Sequence, residues 1–127
     1  MAITNAGAIA LASAAVGDGG VALFNAANAY LGVGDSATAF SAAHTDLQAS
    51  SNKLRKGMDS TYPQRTNGAI TFRSTFNTSE ANYAWNEWAV FNAASGGTML
   101  NRKVESLGTK TNTQTWILSV TNTVAAA

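Results

Sequence analysis

The feature that most constrains the fold is an alternation of apolar and polar residues. Between residues 69 and 76, Ile70, Phe72 and Phe76 are separated by polar side chains, and residues 114–124 repeat the pattern. A period of two places apolar side chains on one face of a β-strand and polar side chains on the other. We therefore expect strands that each cover a core with one face.

The dipeptide Asn67-Gly68 precedes the first of these strands and, together with Pro63, separates it from the segment at residues 54–62. Both of its residues tolerate positive φ, which the type I′ turn of a tight hairpin requires. The pattern predicts a hairpin that joins residues 54–62 to residues 69–76.

Residues 82–92 carry apolar side chains on both faces of a predicted strand, so we expect this strand to be central in a sheet or covered at an interface. One face carries Tyr83, Trp85, Ala89 and Phe91, and the other carries Trp88 and Val90. Further strands are predicted at residues 29–33 and 98–104.

The segment before the strands favours a short helix. Thr4 or Asn5 can cap it, and the glycine-rich residues 17–20 can end it. Its apolar positions are mostly alanine, so the helix must lie on a larger β-core to be stable. Residues 38–52 are small and polar, which predicts a long surface loop that is a candidate for contacts.

Together these patterns predict one domain over residues 1–127. Its fold class is mainly β: an antiparallel, jelly-roll-like β-sandwich of about six strands with a short N-terminal helix. The chain has no cysteine, so packing alone must hold the fold.

The composition argues against several classes of function. Charged residues make up 12% of the chain, against about 25% in a typical soluble domain. The net charge of +1 gives no field that would attract nucleic acid or an anionic membrane. A surface of small uncharged side chains is easily desolvated, which favours an assembly surface.

The ionisable residues do not form a catalytic or metal-binding pattern. His44, the single histidine, lies in the polar loop, where we expect a solvated side chain. The turns at residues 17–20 and 32–35 each supply one carboxylate, which is too few for Ca²⁺. We predict no enzyme activity, no catalytic residue, no cofactor and no metal site.

Glu87 is the ionisable group of most interest, because it lies between Trp85 and Trp88 and an apolar site could make it a general acid. Pairing with a basic residue of a neighbouring strand is the favoured interpretation. The candidate partners are Arg73, Arg102 and Lys103. The tryptophans could instead form a sugar platform, but their alternation is typical of core residues.

Several segments carry a family resemblance. They are Ile3–Gly7 with the helix after it, Tyr30–Asp35, and Trp85–Phe91 followed by Gly96–Arg102. Together they resemble the small β-sandwich proteins of tailed bacteriophages, in particular the tail-collar fibre type, over most of the chain. The resemblance implies a non-enzymatic structural protein of the virion that is assembled in the host cytoplasm.

A fibre protein would continue into a shaft after Ala127, so we expect a capsid decoration (cement) protein. Such proteins commonly form homotrimers and contact the major capsid protein, which are the implied partners. The alternatives are a tail-collar or tail-fibre adaptor that contacts tail proteins, and a receptor- or glycan-binding tip. The uncharged termini, Ala2–Thr4 and Val124–Ala127, are expected to be contact surfaces.

Overall fold

The computed structural model describes residues 2–125, which form one α-helix and seven β-strands. The elements in chain order are α1 (Asn5–Val16), β1 (Tyr30–Gly34), β2 (Lys53–Gly57), β3 (Gln64–Thr66), β4 (Ala69–Phe76), β5 (Ala84–Phe91), β6 (Met99–Thr109) and β7 (Trp116–Thr123). The strands form two antiparallel sheets, with the orders β2-β1-β5-β6 and β3-β4-β7. The predicted antiparallel β-sandwich is confirmed.

The main core lies between the two sheets. β4 and β7 pair in unbroken register over all eight residues of each strand. Phe72 and Phe76 of β4, and Leu118 and Val120 of β7, turn inward and are buried, as their alternation predicts. The residues between them along β4 and β7 point to the outer side of this sheet and are mostly polar.

β5 is the central strand, as predicted, because it pairs with β1 on one side and β6 on the other. Trp88 faces the core between the sheets, and Ala89 and Phe91 face a second apolar cluster on the outer side. The predicted face of Trp85 is wrong, since Trp85 shares the inner core with Trp88. A register shift between Trp85 and Glu87 breaks the strict alternation.

The Asn67-Gly68 turn forms a hairpin, but it joins β3 to β4. The predicted partner, residues 54–62, instead supplies β2, which pairs with β1 in the other sheet. The turn is also not type I′, because Asn67 has a positive φ of 53° and Gly68 does not. The Val124 N–H donates to the Gly68 carbonyl at 2.8 Å, so the chain beyond β7 fixes Gly68.

Polar side chains tie the sheets together inside the sandwich. The amides of Asn101 on β6 and Asn122 on β7 exchange two hydrogen bonds of 3.1 and 3.2 Å. The Ser74 hydroxyl on β4 is shared between the carbonyls of Lys56 and Gly57 on β2, at 3.1 and 2.9 Å. The side chains of Ser74, Asn101 and Asn122 thereby each gain a partner in the opposite sheet, which fixes how one sheet lies on the other.

Candidate functional site

Glu87 lies on β5 and is fully buried. The Arg102 Nε on β6 donates to Glu87 Oε1 at 2.7 Å, which confirms one of the three predicted partners. The backbone N–H groups of Gln48 and Ala49 donate to the two carboxylate oxygens, each at 2.8 Å. Because both oxygens are bonded to protein donors and no solvent reaches them, Glu87 is not placed to protonate a substrate.

These contacts fasten the long loop, residues 38–52, to the outer face of the four-stranded sheet. Leu47 is buried there against Phe91. A Cβ at Gly34 of β1 would collide with the Glu87 carboxylate, so this glycine provides the space that the acid occupies. The centre of the loop is therefore a packed part of the fold, although the sequence predicts a free contact surface.

Arg102 is also fully buried. Its Nη1 and Nη2 atoms have no hydrogen-bond partner among residues 2–125. A buried pair of this kind adds little net stability, but removal of one member leaves an uncompensated charge in the interior. The geometry assigns Glu87 and Arg102 to positioning the loop and β6.

The tryptophans lie mostly in the core. Trp85 and Trp88 are 1% and 8% exposed, and Trp85 Nε1 donates to the Ala81 carbonyl at 2.9 Å. Trp116 is half-buried and packs edge to face against Trp85, with ring centroids 5.0 Å apart. A sugar platform needs an exposed indole face, and Trp116 presents its outer part beside Leu107 in a shallow surface depression.

His44 takes part in a local turn. Its Nδ1 accepts a hydrogen bond from the Ser41 N–H at 3.2 Å. The Phe40 ring packs edge to face against the imidazole, with ring centroids 6.3 Å apart. Within residues 2–125, no three histidine, aspartate or glutamate side chains cluster so as to hold a metal ion.

α1 is capped as the sequence predicts. The Thr4 hydroxyl accepts from the Gly7 N–H at 2.9 Å, and Gly17 ends the helix with a φ of 66°. A Cβ at Gly7 would collide with the Leu100 carbonyl oxygen, so the helix backbone lies directly on β6. Small residues on this side allow that close approach.

α1 buries small residues and exposes two of its large apolar residues, which is the reverse of an ordinary surface helix. The face toward the sheets buries Gly7, Ala10 and Ser13, whereas Ile9 and Val16 are 64% and 75% exposed on the other side. A surface helix normally turns its large apolar residues inward. We call the exposed apolar residues on the side of Ile9 and Val16 the α1 stripe: Ala8, Ile9, Ala12, Ala15 and Val16.

Comparison with known proteins gives no relative from which the role of this surface could be inferred. No protein-family model and no curated protein matches the chain. α1, the helix within residues 2–125, is too short to span a lipid bilayer.

Apolar surface continues on either side of the α1 stripe. Val21 lies beside Ile9 and Val16 in one depression. On the other flank of α1, Leu23, which is 53% exposed, borders an apolar groove of about 570 Å³ that reaches Ile70. Contiguous apolar patches larger than a few hundred Å² are rare on monomeric proteins and mark interaction sites.

The Asp18 carboxylate stands exposed just beyond the C-terminal end of α1. Its Oδ1 accepts from the Ser13 hydroxyl at 2.5 Å and from the Gly20 N–H at 2.8 Å. The Ser13 hydroxyl, followed by the Gly20 N–H, lowers the pKa of this carboxyl below its ordinary value. The end of the α1 stripe therefore carries a negative charge at neutral pH.

The predicted N-terminal contact surface is wrong in part. Thr4 is 1% exposed, and its N–H donates to the Leu100 carbonyl at 3.1 Å, so this segment belongs to the fold. Val124 is 51% exposed, as a contact surface requires. Ala126 and Ala127 lie outside the described residues.

Sequence reasoning missed the α1 stripe, although a signal for it was present. Ile9, Ala12 and Val16 recur at the helical spacing of three and four residues, and the opposite face holds the polar Ser13 and the backbone-exposing Gly7. The β-core against which the helix packs is made by distant strands, so the sequence alone does not say which face turns inward.

Proposed function

We propose that the protein is a non-enzymatic structural component of a tailed-phage particle, acting as a capsid decoration protein. The single observation that carries the proposal is the α1 stripe, an uncharged apolar surface that residues 2–125 leave uncovered. Burial of such a surface gains free energy only when another protein covers it.

The interior supports a packing role. The aromatic residues of β5 and the Glu87–Arg102 pair serve to hold the sandwich and its long loop in place. A decoration protein has to present a fixed surface to many identical neighbours, and weak contacts repeated over many copies add up through avidity.

In this proposal the partners are other copies of the chain, in the homotrimer that the resemblance implies, and the major capsid protein. The low content of charged residues, 12%, reduces the cost of removing water from such contacts. The protein would act in the virion after assembly in the host cytoplasm.

A tail-collar or tail-fibre adaptor is the second candidate. The segments that carry the resemblance to tail-collar proteins include Tyr30–Asp35, Trp85–Phe91 and Gly96–Arg102. They lie largely on β1, β5 and β6, which are adjacent strands of one sheet. The segments that carry the resemblance therefore lie together in this fold, and that clustering supports this candidate. Glycan binding has less support, because Trp85 and Trp88 are buried.

The test is the copy ratio of this protein to the major capsid protein in purified particles, measured by quantitative mass spectrometry. We expect a ratio near unity or a simple fraction of it. A ratio of about one per cent of the capsid protein would assign the chain to the tail or collar, and its absence from purified particles would overturn the proposal.

A matched pair of variants links this result to the α1 stripe. Val16→Lys places a charge on the stripe, and Ser106→Lys places the same charge on an exposed residue of β6. We expect the Val16 variant to be lost from particles and the Ser106 variant to be retained. Equal incorporation of both variants would show that the stripe is not the contact.

A further inference from the structure

The two sheets have four edge strands, and three of these edges are protected against pairing with another chain. β2 carries three basic residues among its five, and β3 is only three residues long. Residues 2–4 cover the first part of the β6 edge, where the Thr4 N–H donates to the Leu100 carbonyl at 3.1 Å. Farther along, β6 carries Lys103 and Glu105. Charge, short length and a covering segment are the usual means by which proteins keep sheet edges from pairing.

β7 lacks each of these protections within residues 2–125. It is the outermost strand of its sheet, and it pairs with β4 alone. Its eight residues include no charged side chain and no proline, and their register against β4 is unbroken. A long, regular and uncharged edge is one to which another strand can add.

The backbone groups that β7 offers follow from its register. The Val124 N–H donates to the carbonyl of Gly68, the residue opposite it. Opposed residues of an antiparallel ladder alternate between hydrogen-bonded and non-hydrogen-bonded pairs, so the even-numbered residues of β7 bond to β4. The odd-numbered residues direct their N–H and C=O groups away from β4, toward the free edge, and all of them are exposed. They are Ile117, Ser119, Thr121 and Thr123.

We propose that β7 pairs antiparallel with β7 of a second copy of the chain, about a twofold axis at Val120. The two three-stranded sheets then become one continuous sheet, and the free backbone groups of both edges gain partners. β7 is the edge that matches β7 in lack of charge, since β2 is basic, β3 is short and β6 is partly covered. This inference rests on the proposed function, because it names one contact between copies.

The side chains at the two ends of β7 support this partner. Ile117, near the start of the strand, is 57% exposed, and Val124, just beyond its end, is 51% exposed. When Val120 lies opposite the Val120 of the second copy, Trp116 lies opposite Val124. Ile117 then lies opposite Thr123. The apolar side chains that one copy leaves exposed at each end of β7 are therefore covered by the other copy.

The middle of the strand also fits. Ser119 lies opposite Thr121 of the second copy, and hydroxyl side chains opposite one another favour strand pairing. β7 has no charged residue, so no like charges meet. A shift of the register by two residues would keep the backbone hydrogen bonds but would move Val124 away from Trp116. The side chains thus select the register that is centred on Val120.

A contact made mainly by two edge strands is smaller than a stable interface of about 1,200 Å². It is therefore expected to be weak in isolation and to add to the contact of the α1 stripe through avidity, so that assembly requires both. A twofold contact joins two copies and no more. In a homotrimer it would link one trimer to the next.

Covalent capture tests both the pairing and its register. The chain contains no cysteine, so introduced thiols have no native competitor. A disulfide requires Cα atoms within about 7 Å. In a hydrogen-bonded antiparallel pair the Cα atoms of opposed residues lie about 5.5 Å apart, whereas diagonal neighbours lie about 7–8 Å apart. Ser119 and Thr121 are opposed between copies in the proposed register, and each is diagonal to its own counterpart.

The experiment mixes Ser119→Cys chains with Thr121→Cys chains under mild oxidation and identifies the linked dimers by mass. Each variant is also oxidised alone, and a mixture of Thr121→Cys with Ser106→Cys of β6 is the control. All three positions are exposed, so the folded chain should tolerate each change. We expect the Ser119→Cys and Thr121→Cys mixture to give linked dimers at several-fold the yield of the control and of either variant alone.

A second pair of variants blocks the edge without disturbing the ladder to β4. Because the Ser119 N–H points away from β4, Ser119→Pro removes no hydrogen bond between the two strands. We expect Ser119→Pro to lose self-association in light scattering while it remains folded, and Ser119→Ala to retain it. A folded Ser119→Pro chain that associates as Ser119→Ala does would overturn the inference.

Linkage in the mixture no greater than in the Ser106→Cys control would also overturn the pairing. Efficient linkage of Ser119→Cys or Thr121→Cys alone would mean a different register or a parallel pair, and would contradict the arrangement proposed. If linkage fails and the chain is still abundant in particles, the proposed function stands without this contact. Linkage in the mixture together with absence from particles would uphold the pairing and reject the proposed function.

Discussion

β5 and α1 are both apolar, yet the fold treats them in opposite ways. Every residue from Glu87 to Phe91 is buried, whereas Ile9 and Val16 of α1 are largely exposed. Apolar area buried inside the chain stabilises the chain itself, and apolar area left exposed can stabilise only a complex. Substitutions in β5 should therefore change unfolding, and substitutions in the α1 stripe should change association.

The largest expected effect comes from truncation in β5. Trp88→Ala should lower the free energy of unfolding by about 3–5 kcal/mol, because it opens a cavity between the sheets. The measurement is urea unfolding at a protein concentration that keeps the chain monomeric. Ile9→Ala is the matched truncation in α1 and should change that free energy by no more than about 0.5 kcal/mol. Similar losses in both variants would remove the distinction between the two elements.

The second effect concerns the buried charge pair of β5 and β6. Glu87→Gln should lower the free energy of unfolding by about 3 kcal/mol, because Arg102 would keep a buried charge without its counter-charge. Addition of Arg102→Met to this variant should restore part of the loss. Additive losses in the double variant would show that the two residues stabilise the fold independently.

The third effect lies where α1 joins the sandwich. Thr4→Ala should cost about 2 kcal/mol of unfolding free energy, because it removes the helix cap and leaves the Met99 carbonyl without the Thr4 hydroxyl at 2.5 Å. Thr4→Ser keeps the hydroxyl and should lose less than half as much. An equal loss in both variants would assign the effect to the methyl group.

The smallest effect on stability is expected on the α1 stripe itself. Val16→Lys should change the free energy of unfolding by less than about 0.5 kcal/mol, because the side chain is exposed. The same variant should abolish self-association measured by light scattering, while Ser106→Lys should leave it intact. A Val16→Lys chain that associates normally would contradict the role given to the stripe.

Much of the fold could be predicted from the sequence, because alternation and turn residues are local signals. The strands of the Ile70 and Trp116 segments, the central strand and the helix with its Thr4 cap are all confirmed. The partner of the Asn67-Gly68 hairpin was not predictable, since three residues are enough for β3 and residues 53–57 pair with β1 in the other sheet. The face of Trp85 depends on a register shift that no alternation pattern records.

The candidate site was likewise predicted only in part. Three basic partners for Glu87 were possible from the sequence, and the register of β6 against β5 decides for Arg102. The anchoring of the loop through the Gln48 and Ala49 N–H groups could not be predicted, because backbone donors leave no sequence signal. The exposure of Ile9 and Val16 could not be predicted either, because it depends on which side of α1 packs against the sheets.

The most direct test of the account is backbone hydrogen exchange of the wild-type chain, compared between a dilute monomeric sample and a concentrated assembled one. Exchange in α1 should slow on assembly, because the α1 stripe becomes covered, while exchange in β5 should stay equally slow in both samples. Unchanged exchange in α1 in a sample that light scattering shows to be assembled would contradict the account.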